Sequence, residues 1–181
     1  MKIIILDRDG VINYDSKDYI KSPKEWKPIP GSLEAIAQLN RHGYKIVIAS
    51  NQSGIARGLF DMQTLNNIHI KLNLALSNVG GSIDSIFFCP HIDESNCQCR
   101  KPKPGMLLEI AKRYKVNISQ IPFVGDSFRD LKAAEAAGAM PILVLSGNGP
   151  KTKRLPNLPR NTLIFDNLKA VTNYLIGDSI K

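Results

Sequence analysis

The sequence is poor in cysteine and in aromatic residues, and it has no long apolar run. Its 181 residues include three cysteines, an odd number that is too small for a disulfide framework. The apolar start of the chain is interrupted by Asp7, and no later apolar run reaches the length of a membrane span. We therefore expect no signal peptide, no transmembrane anchor and no membrane partner, and we expect a cytoplasmic location.

Aromatic residues amount to 7% of the chain, and no long basic helix accompanies them, although the formal net charge is +8. A positive balance favours anionic partners such as nucleic acid, acidic lipid or phosphorylated metabolites. Proteins that bind single-stranded nucleic acid commonly offer stacking aromatics, which this chain lacks. Nucleic acid is therefore an open alternative that the sequence disfavours.

What the chain does contain is typical of one globular domain, with 43% hydrophobic and 22% charged residues. Apolar runs alternate with helical patterns, which predicts a mostly parallel sheet covered by helices on both faces. The predicted strands are 2–6, 45–49, 85–88, 122–124, 141–145 and 162–165, and the predicted helices are 32–42, 61–76, 104–114, 127–137 and 168–175. We expect a monomeric, three-layer, doubly wound α/β domain over residues 1–181, with its site at the carboxyl ends of the strands.

Two segments show neither a strand nor a helix pattern. Residues 15–30 are predicted to be irregular, and the Pro- and Lys-rich residues 147–160 are predicted to form a mobile surface loop. Neither segment looks like a domain boundary, and no internal repeat is visible.

A pair of carboxylates, Asp7 and Asp9, directly follows the first predicted strand in the motif DRDGV. Such a pair can hold a divalent cation, and one carboxylate can attack phosphorus while the other moves a proton. An Asp/Gly turn of the kind that commonly follows a strand explains the same residues. Taken alone, this motif leaves both interpretations open.

Three further polar segments suit anions or metals. The hydroxyl and successive amides of SNQSG, which begins at Ser50, can form an anion nest, although a polar loop with a helix cap is the simpler interpretation. Asp126 in GDSFRD can complete a magnesium site, or it can cap the following helix, as can Ser127. Lys101 can offer a fixed positive charge to a phosphoryl group, or it can belong to a solvated basic turn.

The three cysteines lie close together and share their segment with a histidine. Cys89, His91, Cys97 and Cys99 provide three thiolates and one imidazole, a complete tetrahedral set for structural zinc that leaves no position for water. Three reduced cysteines near a surface histidine are the alternative. His42 and His69 lie on predicted helices far from these cysteines, and we expect both to be surface residues.

The four motifs, in this order, resemble those of the haloacid dehalogenase-like phosphatases over residues from Ile3 to about Leu145. The resemblance implies a capless fold, because residues 15–30 and 60–88 leave room for only a short loop and one helix where larger relatives insert a cap domain. Val11 and Ser50 stand where many members have Thr. Ser127 stands where Lys is frequent in the subgroup described next.

A zinc loop at 89–105 that runs into Lys101, together with the motif SNQSGIARG, resembles the subgroup of heptose bisphosphate and histidinol-phosphate phosphatases. This resemblance implies a magnesium-dependent phosphatase that acts on a small phosphorylated sugar, removes the 7-phosphate of a heptose 1,7-bisphosphate, and serves nucleotide-heptose and surface polysaccharide synthesis. Histidinol phosphate and 3′-phosphorylated polynucleotide are alternative substrates. A zinc-stabilised binding module without turnover is the alternative from another class.

The family resemblance also implies roles for individual residues. Asp7 is the expected nucleophile, which forms an aspartyl-phosphate, and Asp9 is the expected acid and base. Magnesium is expected between the Asp7 carboxylate, the Asp9 main-chain carbonyl and Asp126. The expected stabilisers of the phosphoryl oxygens are Ser50, Asn51 and Lys101, and Asp130 is expected either to support Lys101 or the metal's waters or to lie on a helix surface.

The remaining substrate contacts are expected where the chain offers polar groups around that centre. A rigid zinc loop would let the Arg100 guanidinium bind a distal phosphate by two parallel hydrogen bonds, with solvent exposure of Arg100 as the alternative. The full set of expected substrate-binding residues is Asp15, Tyr19, Asn51, Gln52, Ser53, Arg57 and Arg100.

Overall fold

The computed structural model describes residues 1–177, which fold around a sheet of six parallel strands. The strands are β1 (Lys2–Leu6), β2 (Tyr44–Asn51), β3 (Ser85–Cys89), β4 (Pro122–Gly125), β5 (Met140–Val144) and β6 (Leu163–Phe165). Their spatial order is β3-β2-β1-β4-β5-β6. The central strands form because apolar, largely β-branched residues suit a sheet that is buried on both faces.

The central strand β1 has β2 on one side and β4 on the other. Leu6 pairs with Ile48 of β2 and with Val124 of β4, so β1 and β4 end at nearly the same level while β2 continues to Asn51. The strand order reverses between β1 and β4, and this reversal opens a crevice outside the carboxyl ends of the strands. Residues that follow β1, β2 and β4 are therefore brought to one place.

Within the described residues, six α-helices complete the fold: α1 (Ser32–Arg41), α2 (Met62–Ser77), α3 (Gly105–Tyr114), α4 (Phe128–Ala137), α5 (Gly149–Thr152) and α6 (Leu168–Gly177). Buried residues of α1, α2 and α6 pack on one face of the sheet, and those of α3 and α4 pack on the other. The three-layer, doubly wound prediction is confirmed, and the sheet is wholly parallel. None of the helices in residues 1–177 is both long and apolar enough to cross a bilayer.

Two boundaries differ from the sequence prediction in ways that affect the site. Ser50 and Asn51 belong to β2 and do not follow it, because they pair with Phe88 and Cys89 of β3. The prediction of an irregular segment at 147–160 is wrong for α5, whose Gly149 and Thr152 are buried. Residues 15–30 contain neither a helix nor a strand, and α2 is the one helix between β2 and β3 in the described chain, so no cap domain covers the crevice.

Candidate active site

A cleft of about 530 Å³ lies at the carboxyl ends of β1, β2 and β4. It collects almost every residue that the sequence nominates for catalysis or substrate binding. Those that line it are Asp7, Asp9, Asp15, Tyr19, Asn51, Gln52, Ser53, Arg57, Arg100, Lys101 and Asp126. The exception is Ser50, which is buried and is absent from the cleft lining. The residues that the sequence did not nominate include Asp93, Arg129 and Asn148.

At the inner end of the cleft, three buried carboxylates cluster together, and two of them contact one buried ammonium group. Oxygen atoms of Asp7, Asp126 and Asp130 lie within 4.8 Å of one another. Lys101 Nζ lies 3.0 Å from Asp7 Oδ1 and 2.6 Å from Asp130 Oδ1, and it donates to the Ala49 carbonyl at 2.9 Å. Asp130 therefore supports Lys101 and does not lie on an exposed helix surface.

The charges in this cluster alter one another's titration. Burial raises the pKa of Asp7 well above its usual value, and the neighbouring carboxylates add to the rise, although Lys101 opposes it. Burial and the nearby Asp130 raise the pKa of Asp126 to about 7. For Lys101, burial lowers the pKa, but the carboxylates of Asp130 and Asp7 outweigh it and raise the pKa above its usual value. The cluster thus holds more negative charge than one lysine balances.

An excess of buried carboxylate oxygen is what a hard divalent cation such as Mg²⁺ binds. Asp7 and Asp126 fit the predicted magnesium site because their oxygens converge, whereas both oxygens of Asp130 are engaged, one by Lys101 and the other by Ser127. The carboxylate of Asp9 lies outside this converging group. Its main-chain carbonyl as a metal ligand stays a prediction.

Asp126 is held in a pocket made of backbone. Its Oδ2 accepts hydrogen bonds from the main-chain amide of Asn148 at 2.7 Å and from the Asn148 side chain at 3.2 Å. Gly10 has φ of 81°, and a Cβ atom on it would lie 2.0 Å from Asp126 Oδ2. Only glycine fits there without displacing the carboxylate. The Asn148 side chain also donates to Asp15, which joins the segment 15–30 to the site.

Asp9 is oriented by three side chains. Arg8, which is fully buried, donates bidentate hydrogen bonds to the Asp9 carboxylate through Nε and Nη2, each at 3.0 Å. Asn13 donates to Oδ1 at 2.8 Å, and Gln52 donates to Oδ2 at 3.0 Å. Such a network fixes the carboxylate plane at the edge of the cleft.

The expectation that His69 is a surface residue is wrong. Its side chain on α2 packs against the sheet at 9% exposure, and its Nε2 lies 3.5 Å from Arg8 Nη1. Burial, together with the charge of Arg8, lowers the pKa of His69 to about 4. The neutral imidazole is therefore an acceptor for the buried guanidinium. His42 is exposed, as the sequence predicts.

The end of β2 ties the cleft to the segment that carries Lys101. Asn51 and the Lys101 backbone exchange two hydrogen bonds, with the Asn51 side chain donating at 3.0 Å and accepting at 3.1 Å. The side chain of Gln52 donates to the Ser50 hydroxyl at 2.8 Å. Ser50 is thus a partner of Gln52 beneath the cleft lining.

The outer end of the cleft is lined by three arginines and one carboxylate. Arg100 is 7% exposed, so the alternative in which it points to solvent is wrong. Its Nε donates to Asp93 Oδ1 at 2.5 Å, and its Nη1 donates to the His91 carbonyl at 3.2 Å. Arg129 Nη2 lies 3.7 Å from Asp93 Oδ2, and Arg57 also lines this region. The hydrogen bond from Arg100, with the charges of all three arginines, lowers the pKa of Asp93.

The three cysteines are free thiols that converge with His91 Nδ1. Their sulfur atoms lie 3.2–3.6 Å apart, and His91 Nδ1 lies 3.4 Å and 3.5 Å from two of them. Sulfur ligands around a tetrahedral zinc ion lie about 3.8 Å apart, whereas a disulfide needs about 2.05 Å. The four atoms therefore fit a closed zinc site and not a disulfide.

The model of the haloacid dehalogenase-like hydrolase family matches residues 7–138, which is most of the chain. A curated relative from Bordetella bronchiseptica, named D-glycero-beta-D-manno-heptose-1,7-bisphosphate 7-phosphatase, is 52% identical over 179 residues, covering 99% of this chain and 100% of the relative. A relative of the same name from Pseudomonas aeruginosa is 51% identical, covering 96% of this chain and 97% of the relative.

Solved structures show the same likeness. The D,D-heptose 1,7-bisphosphate phosphatase of Bordetella bronchiseptica, complexed with magnesium and phosphate, superposes with a TM-score of 0.97 at 53% identity. That alignment covers 98% of this chain and 99% of the other. The corresponding phosphatase of Burkholderia thailandensis gives a TM-score of 0.79 at 45% identity, covering 97% and 99%.

Proposed function

The chain belongs to the haloacid dehalogenase-like hydrolases, and we propose that it removes the 7-phosphate of D-glycero-β-D-manno-heptose 1,7-bisphosphate. Relatives of 47–52% identity that carry this activity in their names support the substrate. The product is heptose 1-phosphate, a precursor for nucleotide-heptose synthesis. We place the reaction in the cytoplasm and assign it to a monomer, because one chain supplies the whole cleft.

The observation that carries the proposal is the two-ended charge pattern of the cleft. Asp7, Asp126 and Lys101 form the inner end, where a phosphoryl group can react. Arg100 lies at the outer end and retains unused N–H donors for a second phosphate. A bisphosphate engages both ends, whereas a monophosphate engages only one. The open cleft leaves room for a sugar between them.

At the inner end, the Asp7 carboxylate attacks phosphorus, and the bond between phosphorus and the C7 oxygen of the sugar breaks. The new bond makes an aspartyl-phosphate and divides one difficult hydrolysis into two easier steps. Lys101, fixed by Asp130 and by the Ala49 carbonyl, stabilises the negative charge on the phosphoryl oxygens during both steps. Asn51, bonded to the Lys101 backbone, keeps this lysine at the end of β2.

Asp9 supplies the proton chemistry. It gives a proton to the departing sugar oxygen and then takes one from the water that hydrolyses the aspartyl-phosphate. The contacts from Arg8, Asn13 and Gln52 support this role because they hold the carboxylate in one orientation at the cleft. Inorganic phosphate then leaves, and Asp7 is restored.

Two metals fit the remaining chemistry. Asp7 and Asp126 would hold Mg²⁺, which when bound neutralises the repulsion between the attacking carboxylate and the phosphate. The set of Cys89, His91, Cys97 and Cys99 would hold Zn²⁺, whose role is to fix the loop that carries Arg100.

Phosphate release in the presence of Mg²⁺ tests the proposal. Heptose 1,7-bisphosphate is compared with histidinol phosphate and a 3′-phosphorylated DNA, with Asp7→Asn as the matched control, since its amide is a poor nucleophile of nearly the same shape. We expect the bisphosphate to be preferred, Asp7→Asn to be inactive, and phosphorus NMR to show heptose 1-phosphate. Preference for another substrate would reassign the enzyme, and release from none would indicate a binding module.

A further inference from the structure

The outer end of the cleft contains an anion of its own. Asp93, on the single 3₁₀ turn Asp93–Ser95 within the predicted zinc loop, directs both carboxylate oxygens at arginines. Oδ1 accepts from Arg100 Nε at 2.5 Å, and Oδ2 lies 3.7 Å from Arg129 Nη2. The two arginines come from different elements, the predicted zinc loop and the first turn of α4. Asp93 therefore occupies the place where basic groups of separate elements meet.

Asp93 also remains accessible from the cleft. Its side chain is 56% exposed, and it lines the cleft together with Arg57, Arg100 and Arg129. Three guanidinium groups face one carboxylate, so this end of the cleft keeps a positive excess that suits a doubly charged phosphate. A phosphate that binds here through the free N–H groups of Arg100 shares this guanidinium with Asp93, so the two anions compete for its positive charge and repel each other.

The Arg100 side chain has a second anchor that does not depend on Asp93. Its Nη1 donates to the main-chain carbonyl of His91 at 3.2 Å, and the side chain is 8% exposed. A neutral acceptor at position 93 would also keep the Nε contact. The charge of Asp93 is therefore not needed to hold Arg100 in place, although it competes for the positive charge of Arg100.

We propose that Asp93 is an internal counter-anion that the distal phosphate of the substrate displaces, and that its charge limits the selectivity of the enzyme for bisphosphates over monophosphates. This inference rests on the proposed function for the identity of the substrate. The proposal predicts the direction of the change in affinity. Removal of the charge at position 93 strengthens the binding of a ligand with a distal phosphate and leaves the binding of a ligand without one unchanged.

Calorimetric titration in an Asp7→Asn background measures binding without turnover. The two ligands are heptose 1,7-bisphosphate and heptose 7-phosphate, which share the reacting phosphate and differ only in the distal one. Asp93→Asn removes the charge and keeps an acceptor for Arg100, whereas Asp93→Ala removes both. Glu94→Gln removes a neighbouring exposed charge that does not line the cleft, and it is the matched control.

We expect Asp93→Asn to lower the Kd of the bisphosphate about fivefold, the size of one exposed ion-pair contact, and to leave the Kd of heptose 7-phosphate within about twofold. Glu94→Gln should change neither value by more than about twofold. A bisphosphate Kd that is unchanged or higher in Asp93→Asn would overturn the proposal. If Asp93 only buttresses Arg100, Asp93→Asn has no effect and Asp93→Ala weakens the bisphosphate.

The same measurements separate this inference from the proposed function. Turnover by the wild-type chain decides whether heptose bisphosphate is the substrate, and the Kd ratio in the Asp7→Asn background decides the role of Asp93. Zinc content and thermal unfolding of each variant show whether the loop has kept its fold. A variant that loses zinc is replaced by Asp93→Ser, which is also neutral and keeps a hydroxyl acceptor.

Discussion

The Nζ atom of Lys101 lies 2.6 Å from Asp130 Oδ1, and both side chains are shielded from solvent. The other oxygen of Asp130 accepts from the Ser127 hydroxyl and amide at the start of α4. Asp130 thus joins the start of a helix to Lys101, the lysine that we propose stabilises the reacting phosphate.

Asp130→Asn should lower kcat by about a hundredfold, the usual size for a disturbed charge-stabilising donor. The new amide nitrogen would face the Lys101 ammonium. Because both groups are hydrogen-bond donors, Lys101 would lose its acceptor at this position. Asp61→Ala is the matched control, because it removes the N-cap contact of α2 to the Thr64 amide and costs about 1 kcal/mol of stability at a residue that does not line the cleft. Steady-state kinetics and chemical denaturation measure both effects. Equal kcat losses in the two variants would contradict the role given to Asp130.

Gly10→Ala should weaken Mg²⁺ binding, so that a higher Mg²⁺ concentration is needed for half-maximal activity. The new Cβ would lie 2.0 Å from Asp126 Oδ2 and displace a proposed metal ligand. Gly43→Ala is the control for backbone strain, because Gly43 has almost the same φ, 80°, but open space around the position of an added Cβ atom. That variant should lose about 1–2 kcal/mol of stability from backbone strain alone. The measurement is activity as a function of Mg²⁺ concentration. Identical Mg²⁺ curves for Gly10→Ala and wild type would disprove the steric argument.

Cys97→Ser should reduce zinc from about one ion per chain to a small fraction, since three ligands rarely hold a structural site. The loop anchors Arg100 through the His91 carbonyl, so KM for the bisphosphate should rise more than kcat falls. Ser95→Ala, in the same loop but outside the metal set, should retain both zinc and KM. Elemental analysis with kinetics decides, and a zinc-free chain with unchanged KM would refute the assignment.

The low pKa of His69 predicts a specific dependence of stability on pH. The folded-state pKa is about 4, against an ordinary value of 6.5, so the unfolded chain binds the proton more readily. The contribution of a neutral His69 is complete above pH 6.5 and is lost as the pH falls towards 4, by about 3 kcal/mol. Denaturant unfolding should show this loss in wild type and not in His69→Gln. His42→Gln, at an exposed site, should behave like wild type.

Arg100→Ala should raise KM for heptose 1,7-bisphosphate about tenfold through loss of charge-assisted hydrogen bonds to the distal phosphate. Turnover of heptose 7-phosphate should barely change, because that ligand has no distal phosphate. Kinetics on the two substrates provide the comparison. If KM rises equally for both substrates, Arg100 acts on the reacting phosphate or on the fold and not on the distal phosphate.

The sequence predicts the sheet well because β-branched, apolar runs need burial on both faces. It also places Asp7 and Asp126 together, since parallel strands deliver their carboxyl ends to one edge. The hydrogen-bond partners of Asp126 and Arg100 could not be predicted, because their contacts depend on tertiary packing and not on a local pattern. Asn148 and Asp93 reach the cleft through packing between distant segments, and neither has a local pattern that marks it.

The burial of His69 and of Ser50 could not be predicted from the sequence either. His69 lies on an amphipathic helix, where the helical period does not reveal that its neighbour is the buried guanidinium of Arg8. The sequence predicts that Ser50 follows its strand, but pairing with Phe88 extends β2 and buries the hydroxyl. In both cases the burial is decided by a partner element and not by the local sequence.

The pairing of Leu6 with Val124 has a consequence for how the molecule becomes active during its synthesis. About two thirds of the chain separates Asp7 from Asp126, and a contact so distant along the chain closes only after the intervening segment has been made. In a nascent chain, Asp7, the proposed nucleophile, is made early, and Asp126, the proposed magnesium ligand, is made late. We therefore expect turnover to begin only after β4 has docked beside β1, and its onset would report this pairing.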